Sequence, residues 1–487
     1  MNTMLSKNEL VGRVEPSTLD WVREDVLSSE VPPQDLVHGQ RFDVFFKTFY
    51  LKTRVKNFGL ARRVYLEHLK AFGAGAFSEG ENPTKNSEEA FLKAFDEIYT
   101  SINIDGFDRN KSFVPVASDG VIINGSHRLA SALVCGKNVS VVHCPRSGPR
   151  YDFLFFYNRG VTGYFLDIAA KEFVEICRNA FVALVWPSAV GQDEVIDSIL
   201  GNVVYKKNVY LGPNGAKNLM IQVYSMMKWI GTPESNFVGA HEYVGQCFKF
   251  AGPLRVVAFI GKDLESVVSA KAEIRDIFAI GNSSIHISDT HEEAINLARL
   301  LFNDNGIHFL NHANPSKYGS FRRNYVEFGK FLQANHFCED DFVLDSGMVL
   351  ASYGLRQAND VDYLTSVVTE LNDHGLVNNH AEKVGHHQTP IGDLIYDPKY
   401  YFHLGSIKLL SFRQVYTMKG HRGGHKDRID REMMDAFLGG MNAREKWARI
   451  RQRIYSFKFR LRRQIVEVIR MLGFYEQAKQ LYRKIFY

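Results

Sequence analysis

The chain has 487 residues, of which 45% are hydrophobic and 23% are charged, and this composition excludes a mainly disordered, collagen-like or disulfide-scaffold protein. At roughly 150 residues per domain, the length predicts about three domains. The mean hydropathy is −0.20 and there is no apolar run of about 18 residues, so the sequence predicts no membrane-spanning helix. The formal net charge of +5 is concentrated in the C-terminal tail, so it does not indicate a nucleic-acid-binding surface over the whole protein.

The number and spacing of the cysteines indicate the redox compartment of the protein. They are five in number, scattered and without a Cys-x-x-Cys pair, which argues against both a disulfide framework and a structural zinc site. The first ten residues have no apolar core, so no secretory signal is predicted. We therefore expect a reducing, cytoplasmic environment.

In the first block, residues 1–150, a predicted strand ends at Ile123 and the run Asn124-Gly125-Ser126-His127-Arg128 opens a predicted helix. A glycine turn at a helix N-terminus lets backbone N–H groups face an anion, and Arg128 in the first turn can hold a phosphate. This pattern predicts a phosphate site. The alternative is that Gly125 only makes the turn and Arg128 pairs with a surface carboxylate.

Together with Val114-Pro115-Val116 upstream, this run resembles the nucleotide-binding box of the ParB/sulfiredoxin superfamily, whose form is Asp/Asn-Gly-x-His-Arg-x-x-Ala. The resemblance covers roughly residues 105–144 and implies a ParB/sulfiredoxin-like domain. It implies that nucleotide or phosphate binds at Asn124, Gly125, His127 and Arg128. No helix-turn-helix pattern follows, so we expect no specific nucleic-acid partner.

The second block, residues 151–315, alternates predicted strands and helices. Its order of Arg275-Asp276, a strand around His286 and a following helix is similar to that of nucleoside diphosphate kinase. The resemblance implies a ferredoxin-like domain in which His286 is the phosphorylated histidine and Arg275 binds phosphate. The alternative is that His286 is a strand histidine with a purely structural role.

In the third block, residues 316–440, the predicted strand 342–345 enters a turn of small residues, Ser346-Gly347, and a later strand carries Asp360 and Asp362. The period of two residues along a strand places these two carboxylates on one face. Such a pair can bind Mg²⁺ or Mn²⁺, and the cation can hold a diphosphate or triphosphate. Small residues at the turn let a phosphate approach the backbone.

This order resembles the nucleotidyltransferase fold, written Gly-Ser, about a dozen residues, then Asp-x-Asp, although Ser346-Gly347 is reversed. Further along, two runs, Lys419-Gly420-His421-Arg422 and Lys426-Asp427-Arg428-Ile429-Asp430, resemble the Lys-Asp-x-x-Asp helix of small proteins with that fold. The resemblance implies that Asp360 and Asp362 are catalytic and bind metal, and that Ser346, Gly347 and Lys426 contact the nucleotide. The alternatives are a scaffold that has lost catalysis and an edge strand whose acids merely face water.

Other polar residues of the third block receive weaker interpretations. A third metal carboxylate is not obvious, and Asp393 and Asp397 are its candidates. The spacing of the histidines fits no tetrahedral metal set, so we expect exposed loop residues. These histidines are His386, His387, His421 and His425.

The tail, residues 441–487, is strongly basic. From Arg444 onward it has thirteen lysines and arginines against three acidic residues, a formal charge of +10 that leaves −5 for the remainder. Apolar residues recur every three or four positions from Ile450 to Leu472, which predicts an amphipathic basic helix. Such a helix binds anionic membrane surfaces; the alternative is that it packs on the acidic body.

Together these blocks predict a multidomain α/β and α+β protein with a basic helical tail. The whole arrangement resembles bacterial surface-polysaccharide biosynthesis proteins. We expect a Mg²⁺- or Mn²⁺-dependent transferase at the inner membrane face that moves a phosphoryl-linked, nucleotidyl or phosphoribosyl group. The donor would be a nucleotide or a pyrophosphate-activated sugar, and the acceptor a glycan or lipid-linked glycan. The alternatives are a non-catalytic nucleotide-sensing scaffold at the membrane and a nucleotidyltransferase-type toxin.

Overall fold

The structure, a computed structural model, describes residues 3–73, 77, 85–367, 376–437, 439 and 474. It is a mixed α/β protein with three sheets in the described ranges. No helix within those ranges is long and apolar enough to cross a membrane. The predicted basic helix of the tail lies outside the described residues, apart from position 474.

The first region contains a four-stranded sheet in the order β1-β2-β4-β3, in which only the β3–β4 pair is parallel. Its strands are β1 (Thr3–Leu5), β2 (Val26–Val31), β3 (Val114–Ala117) and β4 (Val139–Cys144). Its helices are α1 (Lys7–Leu10), α2 (Pro16–Leu19), α3 (Asp43–Thr53), α4 (Phe58–Phe72), α5 (Glu88–Asp105), α6 (Ser126–Cys135) and α7 (Phe153–Tyr157).

The helical pattern over residues 41–72 predicts one helix, but the structure has two, α3 and α4. The chain turns between them, and the Asn57 side chain accepts a hydrogen bond from the N–H of Leu60. This cap satisfies a backbone donor that the new helix would otherwise leave unpaired. Ser87, followed by Glu88 and Glu89, predicts a second helix N-cap. The structure confirms it, because the Ser87 hydroxyl accepts a hydrogen bond from the N–H of Ala90 at the start of α5.

The middle region contains a four-stranded sheet in the order β6-β7-β5-β8, with every neighbouring pair antiparallel. Strands β5 and β6 therefore run in the same direction on either side of β7. Its elements are α8 (Gly163–Ile176), β5 (Ala180–Val185), α9 (Asp193–Leu200), β6 (Asn202–Val209), α10 (Pro213–Val223), α11 (Val238–Cys247), β7 (Leu254–Ile260), α12 (Leu264–Phe278), β8 (Ile285–Ile287), α13 (His291–Leu301) and α14 (Asp304–His312).

The third region contains a mixed five-stranded sheet in the order β11-β10-β9-β13-β12. The central strand β9 is antiparallel to β10 and parallel to β13. The region ends in a helical segment, 425–437. Its elements before that segment are α15 (Gly319–Ala334), β9 (Phe342–Leu344), α16 (Ser346–Ser352), β10 (Val361–Thr365), β11 (Val377–Asn379), α17 (Ile391–Tyr396), β12 (Tyr401–Leu404), β13 (Ile407–Leu410) and α18 (Phe412–Arg422).

One continuous hydrophobic core joins the helices of the first region to one face of the middle sheet. Phe45 of α3 packs against Phe173 of α8 with ring centroids 5.0 Å apart, and Phe42 stacks on Tyr205 of β6 at 6.0 Å. The third sheet is buried in a separate core. The first and middle regions therefore form one packed body, against which the third region is placed.

Buried polar contacts connect the third region to that body. Asp397, which is 2% exposed, accepts hydrogen bonds from the Tyr164 hydroxyl at 2.6 Å and from Arg63 Nη2 at 3.0 Å. A second contact involves Arg299 of α13, which donates to Glu175 of α8 at 2.8 Å and to Asp340 of the third region at 3.3 Å. Because buried charges are costly without partners, these contacts restrict how the third region can be oriented.

A buried histidine lies at the same junction. His403 of β12 is 3% exposed, and neither of its ring nitrogens has a hydrogen-bond partner in the described part of the chain. Burial lowers the pKa of His403 well below its usual value, and the positive charges of Arg299, Lys171 and Lys408 lower it further, while Glu175 opposes them. The folded protein therefore keeps this imidazole neutral.

We predict that His403→Leu reduces the loss of stability in acid. In the wild type the unfolded chain binds a proton on His403 below about pH 6.5, whereas the folded chain does not, so the stability falls as the pH falls. Between pH 7.5 and 5.5 the variant should lose about 1 kcal/mol less unfolding free energy than the wild type, measured by urea denaturation. The exposed His143→Leu, as a matched control, should keep the wild-type pH dependence.

Candidate functional site

Two aspartates meet across the β9–β10 pair of the third sheet. Leu344 pairs with Tyr363, and the N–H of Asp345 donates to the carbonyl of Asp362 at 2.8 Å, so these aspartates are the next opposed residues. Opposed residues of an antiparallel pair project from the same face. Asp360, which the sequence predicts on the same strand, lies instead in the bend immediately before β10, with its Oδ1 beside Gly347. Both Asp345 and Asp362 are buried.

Each of the two buried aspartates has an imidazole partner. Nε2 of His387 lies 3.1 Å from Oδ2 of Asp345, and Nε2 of His380 lies 3.0 Å from Oδ1 of Asp362. Burial alone would raise the pKa of Asp345, but His387 and the N–H of Ser346 hold it below its usual value. The site therefore favours an ionised carboxylate at position 345. The expectation that His387 is an exposed loop residue is wrong, since it is only 2% exposed.

A basic group faces the same two aspartates. Arg422, at the end of α18, donates from Nε and Nη2 to both oxygens of Asp427 at 2.8 and 2.6 Å. These bonds raise the pKa of Arg422, and the negative charges of Asp345 and Asp362 raise it further. Asp427 thus holds the guanidinium in place, close enough to Asp345 and Asp362 for their negative charges to act on it.

Arg422 belongs to an ion network that joins α18 to the segment 425–437. Lys419, which is 1% exposed, lies 3.2 Å from Oδ1 of Asp427 and 2.7 Å from Oδ2 of Asp430. Arg356 donates to both oxygens of Asp430, at 2.8 and 3.2 Å. The motif Lys426-Asp427-x-x-Asp430 thus contributes its two acids to the network, whereas Lys426 itself is exposed on the same helix.

The turn after β9 has an unusual backbone. Ser346 has a φ of 49°, in the left-handed region that non-glycine residues seldom occupy, and its buried hydroxyl has no hydrogen-bond partner among the described residues. Asp345 accepts from the N–H of Ser346 at 2.5 Å. A Cβ on Gly347 would lie 3.6 Å from Arg356 Nη1 and 3.7 Å from Asp360 Oδ1. The turn, Arg356 and Asp360 are therefore next to one another.

This geometry matches the predicted Mg²⁺ or Mn²⁺ site only in part. Within the described ranges, no group of three or more histidine, cysteine or acidic side chains is arranged to hold an ion. The two sequence candidates for a third carboxylate lie elsewhere, because Asp393 accepts from Asn57 at 2.7 Å and Asp397 from Arg63 at 3.0 Å. The third acid of the site is Asp345, whose oxygens already contact His387 and the N–H of Ser346.

Sequence reasoning missed six residues around this face. Asp345 could have been found, because it directly precedes the small-residue turn and antiparallel pairing would place it opposite Asp362. Lys419 and Arg422 also had a local signal, because the run 419–422 stands close before the acids that they contact. Arg356, His380 and His387 have none, since their partners lie far away along the chain. The missed residues are Asp345, Arg356, His380, His387, Lys419 and Arg422.

The first-region box has the expected local geometry. Gly125 adopts φ 88° and precedes α6, as the turn predicts. Nε2 of His127 lies 2.9 Å from the hydroxyl of Tyr65, the His127 ring packs 4.6 Å from that of Phe95, and burial holds the pKa of His127 well below its usual value. Arg128 donates to the carbonyl of Phe113 at 2.9 Å. These side chains therefore make packing contacts, and nucleotide binding at Asn124–Arg128 stays a prediction.

The middle-region residues come close to one tyrosine. Nδ1 of His286 lies 3.4 Å from the hydroxyl of Tyr224, and Nε2 lies 2.8 Å from Oε1 of Glu293. The charge of Arg275 also acts on Tyr224, and Nε of Arg275 is buried without a hydrogen-bond partner among the described residues. Both nitrogens of His286 thus have neighbours, and its role as a phosphorylated residue stays a prediction.

Comparisons of the chain with protein-family models, with curated proteins and with solved structures found no match.

We predict that Lys419→Met destabilises the protein by about 3 kcal/mol, measured by urea denaturation, because it leaves Asp427 and Asp430 as buried like charges with one cation fewer. Lys426→Met is the matched control seven positions along the chain. Since Lys426 is exposed, that change should alter the free energy of unfolding by less than about 0.5 kcal/mol. Equal effects of the two substitutions would contradict the assigned network.

Proposed function

We propose that this chain is a metal-dependent transferase that moves a phosphoryl-linked group, nucleotidyl or phosphoribosyl, from a nucleotide- or pyrophosphate-activated donor to a glycan. The observation that carries the proposal is the Asp345–Asp362 cross-strand pair, with Asp360 immediately before β10 and Ser346-Gly347 beside it. Acidic residues beside a small-residue turn suit a cation that holds phosphates against the backbone.

The strand orders and local geometry of the three regions support the same proposal. The third region, with a central strand leading into the small-residue turn and an antiparallel neighbour carrying the acids, supports a nucleotidyltransferase-like domain. The β6-β7-β5-β8 order with all pairs antiparallel is that of a split βαβ sheet and supports a ferredoxin-like middle domain. The strand, Gly125 turn and helix α6 support a ParB/sulfiredoxin-like first domain.

The acidic face can accommodate Mg²⁺ or Mn²⁺ if substrate oxygens complete the shell. Oδ2 of Asp362 and the carboxylate of Asp360 make no hydrogen bond or ion pair with the described residues, so they are the oxygens that would hold the ion. Mg²⁺ commonly binds through one or two carboxylates together with substrate phosphates and water. When bound, the ion would neutralise charge on the transferred phosphoryl group.

The protein's own side chains would organise the rest of the site. His387 keeps Asp345 ionised and fixed, and His380 orients Asp362 through its 3.0 Å contact. Arg422 is fixed by Asp427 at a position where it experiences the charge of both aspartates, so it is placed to receive a phosphate beside them. The site thus contains fixed acids and a fixed guanidinium before any substrate binds.

We predict that Asp362→Asn abolishes Mg²⁺-dependent nucleotide binding. In thermal-shift titrations of the full-length protein with nucleoside triphosphates, nucleotide sugars and phosphoribosyl pyrophosphate, a ligand at 100 times its Kd should stabilise the wild type by about 2.7 kcal/mol. That stabilisation should need Mg²⁺ or Mn²⁺ and should vanish in the variant. Asp435→Asn, an exposed carboxylate on the segment 425–437, should keep it.

Two results would count against this function. If no compound of the panel stabilises the wild type with either metal, the chain is better described as a scaffold. If Asp362→Asn retains the full metal-dependent shift, the donor binds elsewhere, and the same titration on Arg128→Ala and His286→Gln would show whether the first or the middle region holds it.

We also propose that the tail binds the protein to anionic membranes, on the evidence of its +10 formal charge and its regular apolar spacing. Deleting residues 444–487 should release the protein from anionic vesicles in a flotation assay. Each basic residue near the surface contributes on the order of 1 kcal/mol and is screened by salt, so binding should weaken steeply as salt is added. Intact protein that ignores anionic vesicles at low salt would contradict the proposal.

A further inference from the structure

A cavity of about 490 Å³ lies between the middle and third regions. One wall is formed by α8 and the start of α14, with Asp167 and Asp304. The other is formed by the turn at residues 398–400 and the first turns of α18, with Arg413 and Gln414. Its volume is in the range of ordinary small-molecule sites, and none of the sequence motifs accounts for it.

The two walls are fixed to one another by amide side chains. The Nδ2 of Asn303 donates to the carbonyl of Tyr401 at 3.0 Å, and that of Asn305 donates to the carbonyls of Pro398 and Lys399 at 2.9 and 3.0 Å. These bonds cross the junction from α14 to the chain that leads into β12. The cavity is therefore preformed, which lowers the entropic cost of binding a ligand there.

The charges around the cavity are of both signs and lie on opposite walls. Asp167 accepts from the Tyr205 hydroxyl at 2.9 Å and from Lys207 at 2.6 Å, and burial raises the pKa of Asp167 to about 6. Asp304, at the rim, is exposed. On the facing wall, Arg413 is exposed and makes no hydrogen bond or ion pair with the described residues.

This arrangement selects a class of ligand. The Lys207 ammonium contacts both acids, Asp167 at 2.6 Å and Asp304 at 3.3 Å, so the acidic wall carries little net charge. The cavity therefore presents hydrogen-bond acceptors on one wall and donors, Lys399 and Arg413, on the other, an arrangement that neither a polyanion nor a cation complements on both walls. A neutral ligand with many hydroxyl groups can donate to the carboxylates and accept from the cations at once. The half-buried ring of Tyr400 adds a flat surface that can cover the C–H face of a sugar.

We propose that this cavity binds a saccharide, and that, if the chain is the transferase proposed above, it holds the acceptor glycan. Gln414 carries the connection to the acidic face. It lines the cavity, and its Nε2 donates to the carbonyl of His387 at 3.0 Å. His387 in turn contacts Asp345 at 3.1 Å. A bound saccharide would thus lie one side chain away from the His387–Asp345 pair, at the start of the helix that ends at Arg422.

The test is ligand-observed NMR on the full-length protein. The panel contains glucose, galactose, N-acetylglucosamine, the β-linked disaccharides of these three sugars, and the sugar alcohol ribitol. At least one compound should bind saturably to the wild type below 50 mM. Thr417→Trp fills the cavity from a half-buried position on α18 and should weaken that binding at least tenfold. Arg413→Ala removes an exposed donor without disturbing packing and should weaken it several-fold.

Two matched variants separate this site from the acidic face. Arg428→Ala, another exposed arginine, should bind the saccharide as the wild type does, and so should Asp362→Asn. Saccharide binding that is absent from the whole panel, or unaffected by both Thr417→Trp and Arg413→Ala, would overturn the cavity assignment. Loss of nucleotide binding in Thr417→Trp would also overturn it. If saccharide binds here and no metal-dependent nucleotide binding exists, the transferase proposal fails while the saccharide site stands.

Discussion

The feature on which the third region depends is the placement of two carboxylates, Asp345 and Asp362, directly opposite one another in the buried part of a sheet. Like charges so placed destabilise a strand pair unless other groups compensate. The surrounding side chains supply that compensation, with one imidazole on each acid and the charge of Arg422 acting on both. A purely structural sheet would gain more from apolar residues at these positions, and this is why the proposed function rests on the pair.

The supporting network extends well beyond the aspartate pair. Lys419 is almost fully buried between Asp427 and Asp430, and Arg356 links Asp430 back to the turn after β9. α18 ends at Gly423, which adopts φ 64°, and the ion pairs hold the preceding Arg422 against Asp427. Breaking one member leaves an uncompensated buried charge, which explains why the network is specific in geometry even though its net contribution to stability is small.

The junction between the third region and the body has a comparable design. Asp397 is buried there, the Arg299–Glu175 pair is half-buried, and the amide bonds of Asn303 and Asn305 cross the junction beside the cavity. Polar groups at such a surface allow only orientations in which each finds its partner. The junction therefore fixes the cavity walls, and through Gln414 it places them next to the acidic face.

Local features of this protein were determined by sequence alone, because they depend on neighbouring residues. Patterns within about ten positions account for three of them: the Ser87 cap, the Gly125 turn before α6 and the strand leading to Ser346. The prediction of a single helix over 41–72 is wrong, because a side-chain cap at Asn57 starts a second helix.

The tertiary structure decided which residues share a site. His387 has the sequence environment of an exposed loop histidine, yet it is buried against Asp345, 42 positions earlier. Lys426 matches a motif but is exposed, while Lys419 holds the motif's acids. Asp393 and Asp397 resemble metal ligands in the sequence but contact Asn57 and Arg63 across the junction. The reason is physical: the burial and the partner of a charged group depend on packing between elements distant in the chain.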